Sequence, residues 1–331
     1  MNKLPDINEY TAAIKTPQLV KAKRLQGGHP ESQGSNIFKY TGGYCCVYPY
    51  IVGSKKYAVR CWHGYLPGAE ERTDKIAAYI EKTNLPYFVT FEYIKEGIAT
   101  KSGVQPIVLM DWVEAATLKE YISQHLHEKD TLLQLANSFR KMVDDLHKNN
   151  ISHGDLQHGN ILVHEDGSLT LVDYDSMYVP DLAGQPDNVH GLHGYQHPAR
   201  FSNKIVSPKA DYFSELVIYL SILALAEDPN LWTDLQMEDS DTMIFSSQDV
   251  KDVDSFDNST IVKRIMDFPS LKYLLKNMRC ELLKPSIKEL SPLEENLKSP
   301  IDDICNQFAD NGYRKPDSYD KKEIDKICNI W

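Results

Sequence analysis

Two short polar stretches carry the residue types that phosphoryl transfer requires. The first, ISHGDLQHGNILV at 151–163, places Asp155 a few residues before Asn160 in one loop. The second, LVDYD at 171–175, puts Asp173 after a short apolar run. One carboxylate can accept the proton of an attacking hydroxyl, while an amide and a second carboxylate can hold magnesium against phosphates. The pattern therefore indicates Asp155 as the catalytic base and Asn160 with Asp173 as ligands of Mg²⁺.

These two stretches resemble the catalytic segments of the protein kinase family. HGDLQHGN is similar to the family's catalytic loop HRDLxxxN, and DYD is similar to its DFG. A divergent bacterial branch of kinase-like proteins carries the same HGDLQ and LVDYD sequences. The resemblance implies an α+β, two-lobed protein kinase-like fold, with a small β-rich N-terminal lobe and a larger helical C-terminal lobe. It also implies that ATP and Mg²⁺ bind in the cleft.

The resemblance divides the chain into three parts. Residues 1–37 form a lead-in that we expect to be irregular, residues 38–113 form the N-terminal lobe, and residues 114–331 form the C-terminal lobe. Within the last part, residues 227–260 are acidic and are interpreted as an insertion. Apolar residues that recur at three and four positions predict a long helix over 131–149, directly before the catalytic loop.

The segment from Tyr40 to Val47 resembles the glycine-rich loop that covers the nucleotide phosphates. Only Gly42 and Val47 match the family pattern, because Tyr40 and Cys45 replace the other two glycines. Side chains at those positions hinder close approach of the backbone to phosphate. An ordinary hairpin turn containing glycine is the alternative interpretation.

The strand segment AVRC aligns with the family's VAIK, so Ala58 borders the nucleotide and Arg60 takes the place of the phosphate-binding lysine. Arginine keeps the positive charge, but its planar fork differs from a compact ammonium. An ordinary arginine at a strand end is the alternative. The family pairs the lysine with a glutamate of the next helix. Glu71 and Asp74 are both candidates for this acid, and the sequence does not choose between them.

The segment VLMDWV resembles the hinge between the lobes of a kinase. The resemblance implies that Met110 guards the back of the adenine pocket. It also implies that Asp111 and Val113 offer backbone groups to adenine. A buried strand that runs into a helix, without any ligand, is the alternative interpretation.

Two further segments resemble protein kinases specifically. GYQHPA at 194–199 is similar to the end of an activation segment, and DYFSEL is similar to the DxWSxG motif, whose aspartate braces the catalytic loop. That aspartate is Asp211 here. Within the loop, the family uses the position of His153 for packing, and Gly154 replaces the usual arginine. Gln157 stands where Ser/Thr kinases usually carry a lysine, which weakens the match.

Composition excludes several other classes of protein. The 331 residues include 42% hydrophobic and 25% charged residues, and the formal net charge is −11. An acidic chain without a dense Lys/Arg run is a poor candidate for binding nucleic acid or anionic membranes. The six cysteines form no C-x-x-C pair, so neither a zinc site nor a disulfide framework is indicated. The N-terminal residues lack the apolar run of a signal peptide, and a cytoplasmic location is expected.

Three functions remain compatible with these patterns. The first is a divergent Ser/Thr protein kinase that uses ATP and an unknown protein substrate. The second is a pseudokinase that serves as a nucleotide-binding or protein-interaction module. The third is a small-molecule phosphotransferase, because aminoglycoside and choline kinases also resemble the HGDxxxxN pattern. Helices are predicted at 301–308 and 321–328, without an assigned role.

Overall fold

The computed structural model describes residues 4–65 and 67–298. Its N-terminal part is built on an antiparallel sheet, and its C-terminal part is mostly helical. The predicted α+β architecture, with a β-rich N-terminal lobe and a helical C-terminal lobe, is thereby confirmed. The helices predicted at 301–308 and 321–328 lie outside the described residues.

Antiparallel pairing organises the N-terminal lobe. Its strands are β1 (His29–Pro30), β2 (Ser32–Gln33), β3 (Asn36–Ile37), β4 (Tyr40–Thr41), β5 (Cys45–Val52), β6 (Lys55–Trp62), β7 (Phe91–Thr100) and β8 (Gly103–Asp111). The main sheet has the order β1-β5-β6-β8-β7, with β4 also paired to β5, while β2 and β3 form a separate hairpin. This register sets Val47 opposite Arg60 and Ala58 opposite Met110.

Two helices flank the main sheet, α1 (Ile7–Ile14) and α2 (Ala69–Thr83). Asp6 caps α1 by accepting a backbone N–H of its first turn, an interaction that typically stabilises a helix by about 1 kcal/mol. The hydroxyl of Tyr10 donates to the carbonyl of Trp62 (2.9 Å). The expectation of an irregular lead-in is therefore wrong for this part, because a capped amphipathic helix packs on the sheet there.

The C-terminal lobe is dominated by helices. Its elements are β9 (Ala116–Thr117), α3 (Leu118–Gln124), α4 (Lys129–Lys148), β10 (Ile161–Val163), β11 (Leu169–Leu171), α5 (Tyr212–Glu227), α6 (Leu231–Asp234), α7 (Val253–Asn258), α8 (Thr260–Ile265), α9 (Lys272–Leu282) and α10 (Leu293–Asn296). Helix α4 fits the prediction for 131–149, and its periodic apolar side chains are all buried. Helix α5 is apolar on most sides and fills the centre of the lobe. Within the described ranges, no helix is long and apolar enough to cross a bilayer.

The acidic segment at 227–260 packs onto this lobe. It contains α6 and α7, and it buries the side chains of Met237, Phe245 and Phe256. Asp252 caps α7 by accepting the N–H of Ser255 (2.7 Å). Most of its carboxylates lie at the surface while its apolar residues join the core, so the segment is integrated into the fold. Its interpretation as an insertion stays a prediction.

Candidate active site

The loop after α4 holds the Asp155 carboxylate from two sides. The backbone N–H of Leu192 donates to Oδ1 of Asp155 (2.9 Å). Nδ2 of Asn160 donates to Oδ2 of Asp155 (3.2 Å) and to its carbonyl oxygen (2.8 Å). Burial raises the pKa of Asp155 above its ordinary value, and the hydrogen bond from Leu192 opposes that rise. The structure thus brings Asp155 and Asn160 together and fixes the direction of the carboxylate.

Two buried contacts brace this loop from behind. The Asp211 carboxylate accepts the backbone N–H groups of His153 and Gly154, the latter at 2.9 Å. Nε2 of His153 donates to the carbonyl of Val172 (2.9 Å), and the residue is fully buried. Asp211 therefore braces the loop as its motif predicts, and His153 packs in the core.

Gly154 is required by a close approach of two backbones. Its φ is +78°, in the left-handed region, and a Cβ atom there would lie 2.2 Å from the carbonyl oxygen of Ser176. Any larger residue would collide with the segment that follows Asp173. The arginine that the family usually carries has no room at this position.

Tyr174 anchors the second polar stretch, directly after β11. Its hydroxyl donates to the carbonyl of Leu171 (2.7 Å) and accepts the N–H of Val89 (3.1 Å). Its ring centroid lies 4.9 Å from that of Phe91. Because Tyr174 is locked inward, the aspartates on either side of it are directed into the space between the lobes.

Arg60 on β6 reaches both of these aspartates. Its Nη2 lies 2.8 Å from Oδ1 of Asp173 and 2.7 Å from Oδ2 of Asp175. Its Nε donates to Sγ of Cys45 (3.1 Å), and the side chain is 7% exposed. Arg60 is therefore a buried member of the site and not an exposed arginine at a strand end.

The charges of this cluster act on one another. Burial would lower the pKa of Arg60, but the two aspartates raise it well above its ordinary value. Partial burial would raise the pKa of Asp173, whose side chain is 45% exposed, yet the Arg60 guanidinium holds that pKa below the ordinary value. Burial raises the pKa of Asp175, and Arg60 opposes that rise. Burial raises the pKa of the Cys45 thiol to about 11, so this cysteine is neutral at pH 7.

Helix α2 supplies no acid to Arg60. Its buried face consists of Thr73, Ile76 and Ile80. Glu71 is exposed and pairs with Lys75 at 2.6 Å, while Asp74 is exposed on the same side. Neither candidate contacts Arg60, because both lie away from the face that packs on the sheet.

The helix is connected to the DYD segment by an arginine instead. Nε of Arg72 donates to the carbonyl of Asp175 (2.7 Å), and Nη2 donates to the carbonyl of Met177. Burial lowers the pKa of Arg72. Sequence reasoning missed Arg72, and it missed Asp175 as a partner of Arg60. The aspartate in place of the family's DFG glycine was the available signal.

The predicted nucleotide-contacting residues occupy the sheet and its end. Val47 and Ala58 are half-buried on neighbouring strands, and Asp111 at the end of β8 is exposed. Gly42 donates its N–H to the carbonyl of Cys45 (2.9 Å) in the turn before β5. Val113 follows β8 and is half-buried. The structure thus places these residues along β5, β6 and the hinge segment, and their contacts with adenine and phosphate remain predictions.

The donor atoms near Asp173 fit a hard cation such as Mg²⁺. The Asn160 amide uses its nitrogen for Asp155, and its Oδ1 accepts no hydrogen bond from any described residue. Arg60 contacts Oδ1 of Asp173, and 45% of the Asp173 side chain is exposed. No group of three or more His, Cys, Asp or Glu side chains in these ranges is arranged to hold a metal. One carboxylate and one amide suit magnesium, which usually keeps several waters and phosphate oxygens as ligands.

The segment that resembles an activation segment is held by buried contacts. The Tyr195 hydroxyl lies 2.5 Å from Nδ1 of His158 in the catalytic loop and accepts the N–H of Met243 (3.0 Å). Burial lowers the pKa of His158 to about 4, so the hydroxyl is the donor to a neutral ring. Arg200 and Asp187 form a buried ion pair (2.9 Å). These contacts order the chain next to Asp155.

Comparisons with known proteins agree with this geometry. A model described as protein kinase domain matches residues 42–305. The chain is 22% identical over 228 residues to a probable serine/threonine-protein kinase of Dictyostelium discoideum, covering 65% of this chain and 32% of that protein. It is 22% identical over 216 residues to a serine/threonine-protein kinase of Arabidopsis thaliana, covering 62% and 34%.

A third match covers a smaller part of the chain. The chain is 26% identical over 150 residues to a mitosis inhibitor protein kinase of Candida albicans, covering 43% of this chain and 13% of that protein. The chain therefore spans about a third or less of the length of these curated relatives. All three relatives are eukaryotic, so the resemblance to a bacterial branch gains no support from them.

Proposed function

This chain belongs to the protein kinase family, and we propose that it is a divergent Ser/Thr protein kinase that transfers a phosphoryl group from ATP. The observation that carries the proposal is the fixed Asp155 carboxylate, held by Leu192 and Asn160 in the loop where a catalytic base is required. Family membership supports kinase-type transfer in general. That the phosphoryl group is accepted by a hydroxyl of a protein is part of our proposal.

The residues of the site divide the work of the reaction. Asp155 accepts the proton of the substrate hydroxyl and orients its oxygen for attack on phosphorus. Asn160 and Asp173 would hold Mg²⁺, which would neutralise charge on the phosphates. Arg60 adds a second positive charge beside those phosphates. Catalysis of phosphoryl transfer depends mainly on positioning and electrostatics, and these are the contributions that we assign to this set of groups.

The segment near Asp155 supports a protein substrate. Tyr195 bonds to His158, and Asp211 braces the loop, as in motifs that resemble protein kinases rather than small-molecule kinases. The named Ser/Thr kinases among the relatives point the same way. An ATP-dependent reaction and unpaired cysteines, such as Cys45 and Cys280, also suit work in the cytoplasm.

A pseudokinase is the second candidate, and two observations favour it. Arg60 occupies an oxygen of Asp173 that a metal would use. Gln157 stands where a lysine is usual, and its Oε1 accepts the N–H of Gly159 (2.8 Å) within its own loop instead of facing a phosphate. A module of this kind would keep the fold without phosphoryl transfer.

Binding of Mg-ATP is the first test of the proposal. We expect ATP to raise the melting temperature when Mg²⁺ or Mn²⁺ is present and much less in EDTA, because Asn160 and Asp173 act through the metal. Ligand at about 100 times its Kd stabilises a fold by roughly 2.7 kcal/mol. Differential scanning fluorimetry with ATP, Mg²⁺ and EDTA in all combinations measures this. An unchanged melting curve at millimolar Mg-ATP would contradict nucleotide binding and favour the module.

A further inference from the structure

Asp175 is a buried carboxylate that the proposed mechanism leaves without a task. It lies two residues after Asp173, and the same Nη2 of Arg60 contacts both. The Asp175 side chain is 14% exposed, whereas that of Asp173 is 45% exposed. The two partners of Arg60 are therefore unequal, because one faces solvent and the other is enclosed.

Arg60 needs one carboxylate that stays paired with it when the metal binds. A buried guanidinium without a counter-ion is strongly unfavourable. Asp173 is the predicted metal ligand, so it cannot also neutralise Arg60 when a cation takes its oxygens. Helix α2 offers no acid at this place, and it presents Arg72 to the same segment. Of the acids described near Arg60, Asp175 is therefore the one that can serve as the counter-ion while a metal is bound.

The backbone of Asp175 is fixed in the required position. Arg72 holds its carbonyl oxygen at 2.7 Å, and the neighbouring Tyr174 is locked by its hydroxyl to Leu171. The residue after it, Ser176, lies directly against Gly154 of the catalytic loop. The carboxylate is thus supported from both sides of the chain.

We propose that Asp175 is a positioning residue, the permanent counter-ion of Arg60, which holds the guanidinium beside the phosphate site and leaves Asp173 free for the metal. This inference rests on the proposed function, since it assumes that Asp173 binds a cation together with ATP. The acid that pairs with Arg60 on β6 then comes from the segment that contains Asp173, and not from helix α2. Asp175 acts through Arg60 and touches neither substrate nor metal.

The substitution Asp175→Asn separates this role from a structural one. In the variant, Arg60 has Asp173 as its remaining carboxylate, so a metal must compete with the guanidinium. We define the metal enhancement as the affinity for ATP with Mn²⁺ divided by the affinity for ATP in EDTA. Loss of a group that supports a metal ligand typically costs about 10–100-fold, and we expect the enhancement to fall by that factor. A purely structural defect changes both affinities alike and leaves their ratio unchanged.

A second variant removes the competitor as well. In Arg60→Gln combined with Asp175→Asn, no guanidinium occupies Asp173, and no buried charge of this pair is left alone. We expect the metal enhancement to return toward that of the unchanged protein, although ATP binds more weakly with and without metal. Asp181→Asn, an exposed aspartate on the following segment, is the control for lost negative charge and should leave the ratio unchanged.

Isothermal titration calorimetry with ATP, in Mn²⁺ or EDTA, gives all the ratios. An unchanged ratio in Asp175→Asn overturns the inference while the proposed function stands. If the double variant does not regain the ratio, the inference is also overturned, because the metal would then need Asp175 directly. The double variant tests the inference even where the single variant does not fold. If Mn²⁺ does not raise the affinity for ATP in the protein without substitutions, the proposed function and the inference are both contradicted.

Discussion

Asp155→Asn is expected to lower phosphoryl transfer by about 10²–10⁴-fold, the usual contribution of a positioned general base. Folding and Mg-ATP affinity should stay close to those of the unchanged protein. The asparagine side chain can still accept the N–H of Leu192, and the stronger bond from Asn160 to the carbonyl oxygen is retained. The loss is confined to the longer bond at 3.2 Å, and a hydrogen bond to a charged group contributes about 1.5–3 kcal/mol.

The same assay distinguishes this result from general damage. Transfer of labelled phosphate, the melting temperature and Mg-ATP affinity are measured for Asp155→Asn and for the exposed control Asp181→Asn. The control should match the unchanged protein in all three. A variant at Asp155 that loses stability but keeps its transfer rate per folded molecule would contradict the assignment of this carboxylate as the base.

Arg60→Ala should reduce the free energy of unfolding by about 3–5 kcal/mol, the usual cost of breaking a buried ion pair by removing one partner. The substitution removes the ion-pair partner of the enclosed Asp175 carboxylate, while Arg72 is bonded to the backbone carbonyl of that residue, and it opens space beside Cys45. Asp173 suffers less, because nearly half of its side chain is exposed. Urea unfolding measured by circular dichroism gives the change in free energy.

Arg24→Ala is the matched control for this loss of stability. Arg24 also pairs with a carboxylate, Glu92 at 3.0 Å, but both side chains are more than 40% exposed. Exposed pairs of this kind contribute about 0–1 kcal/mol. Equal, small losses in both variants would show that Arg60 is not held as the structure indicates.

The catalytic loop was accessible to sequence reasoning because its chemistry is local. Asp155 and Asn160 lie in one short loop, so their spacing alone brings them together. Asp211 was also found, since the motif around it is distinctive. Their positions depend little on how distant elements pack.

The partners of Arg60 could not be predicted from the sequence, because they depend on how distant segments of the chain pack together. Asp173 and Asp175 are more than a hundred residues away along the chain. An acid of α2, either Glu71 or Asp74, was the expected partner, but the helix turns its apolar face toward the sheet and so directs both acids to solvent. The apolar spacing of the helix already contained this information.

Two other features of the fold depend on short elements. Helix α1 was missed because a single capped helix of eight residues gives a weak periodic signal beside three prolines. In the acidic segment at 227–260, the buried apolar residues that fix it in the core, such as Phe245, are scattered among charged and polar residues. Local patterns record neither arrangement clearly.

Transfer of label from ATP labelled on the γ-phosphate is the most direct test of the proposed kinase activity. The purified protein is incubated with Mg²⁺, labelled ATP and a mixture of Ser- and Thr-containing peptides, with Asp155→Asn and an EDTA sample alongside. We predict label on serine or threonine, of the peptides or of the protein itself, at least about 100-fold above Asp155→Asn. Label no higher than in Asp155→Asn, under conditions where Mg-ATP is shown to bind, would contradict the kinase and leave a nucleotide-binding module.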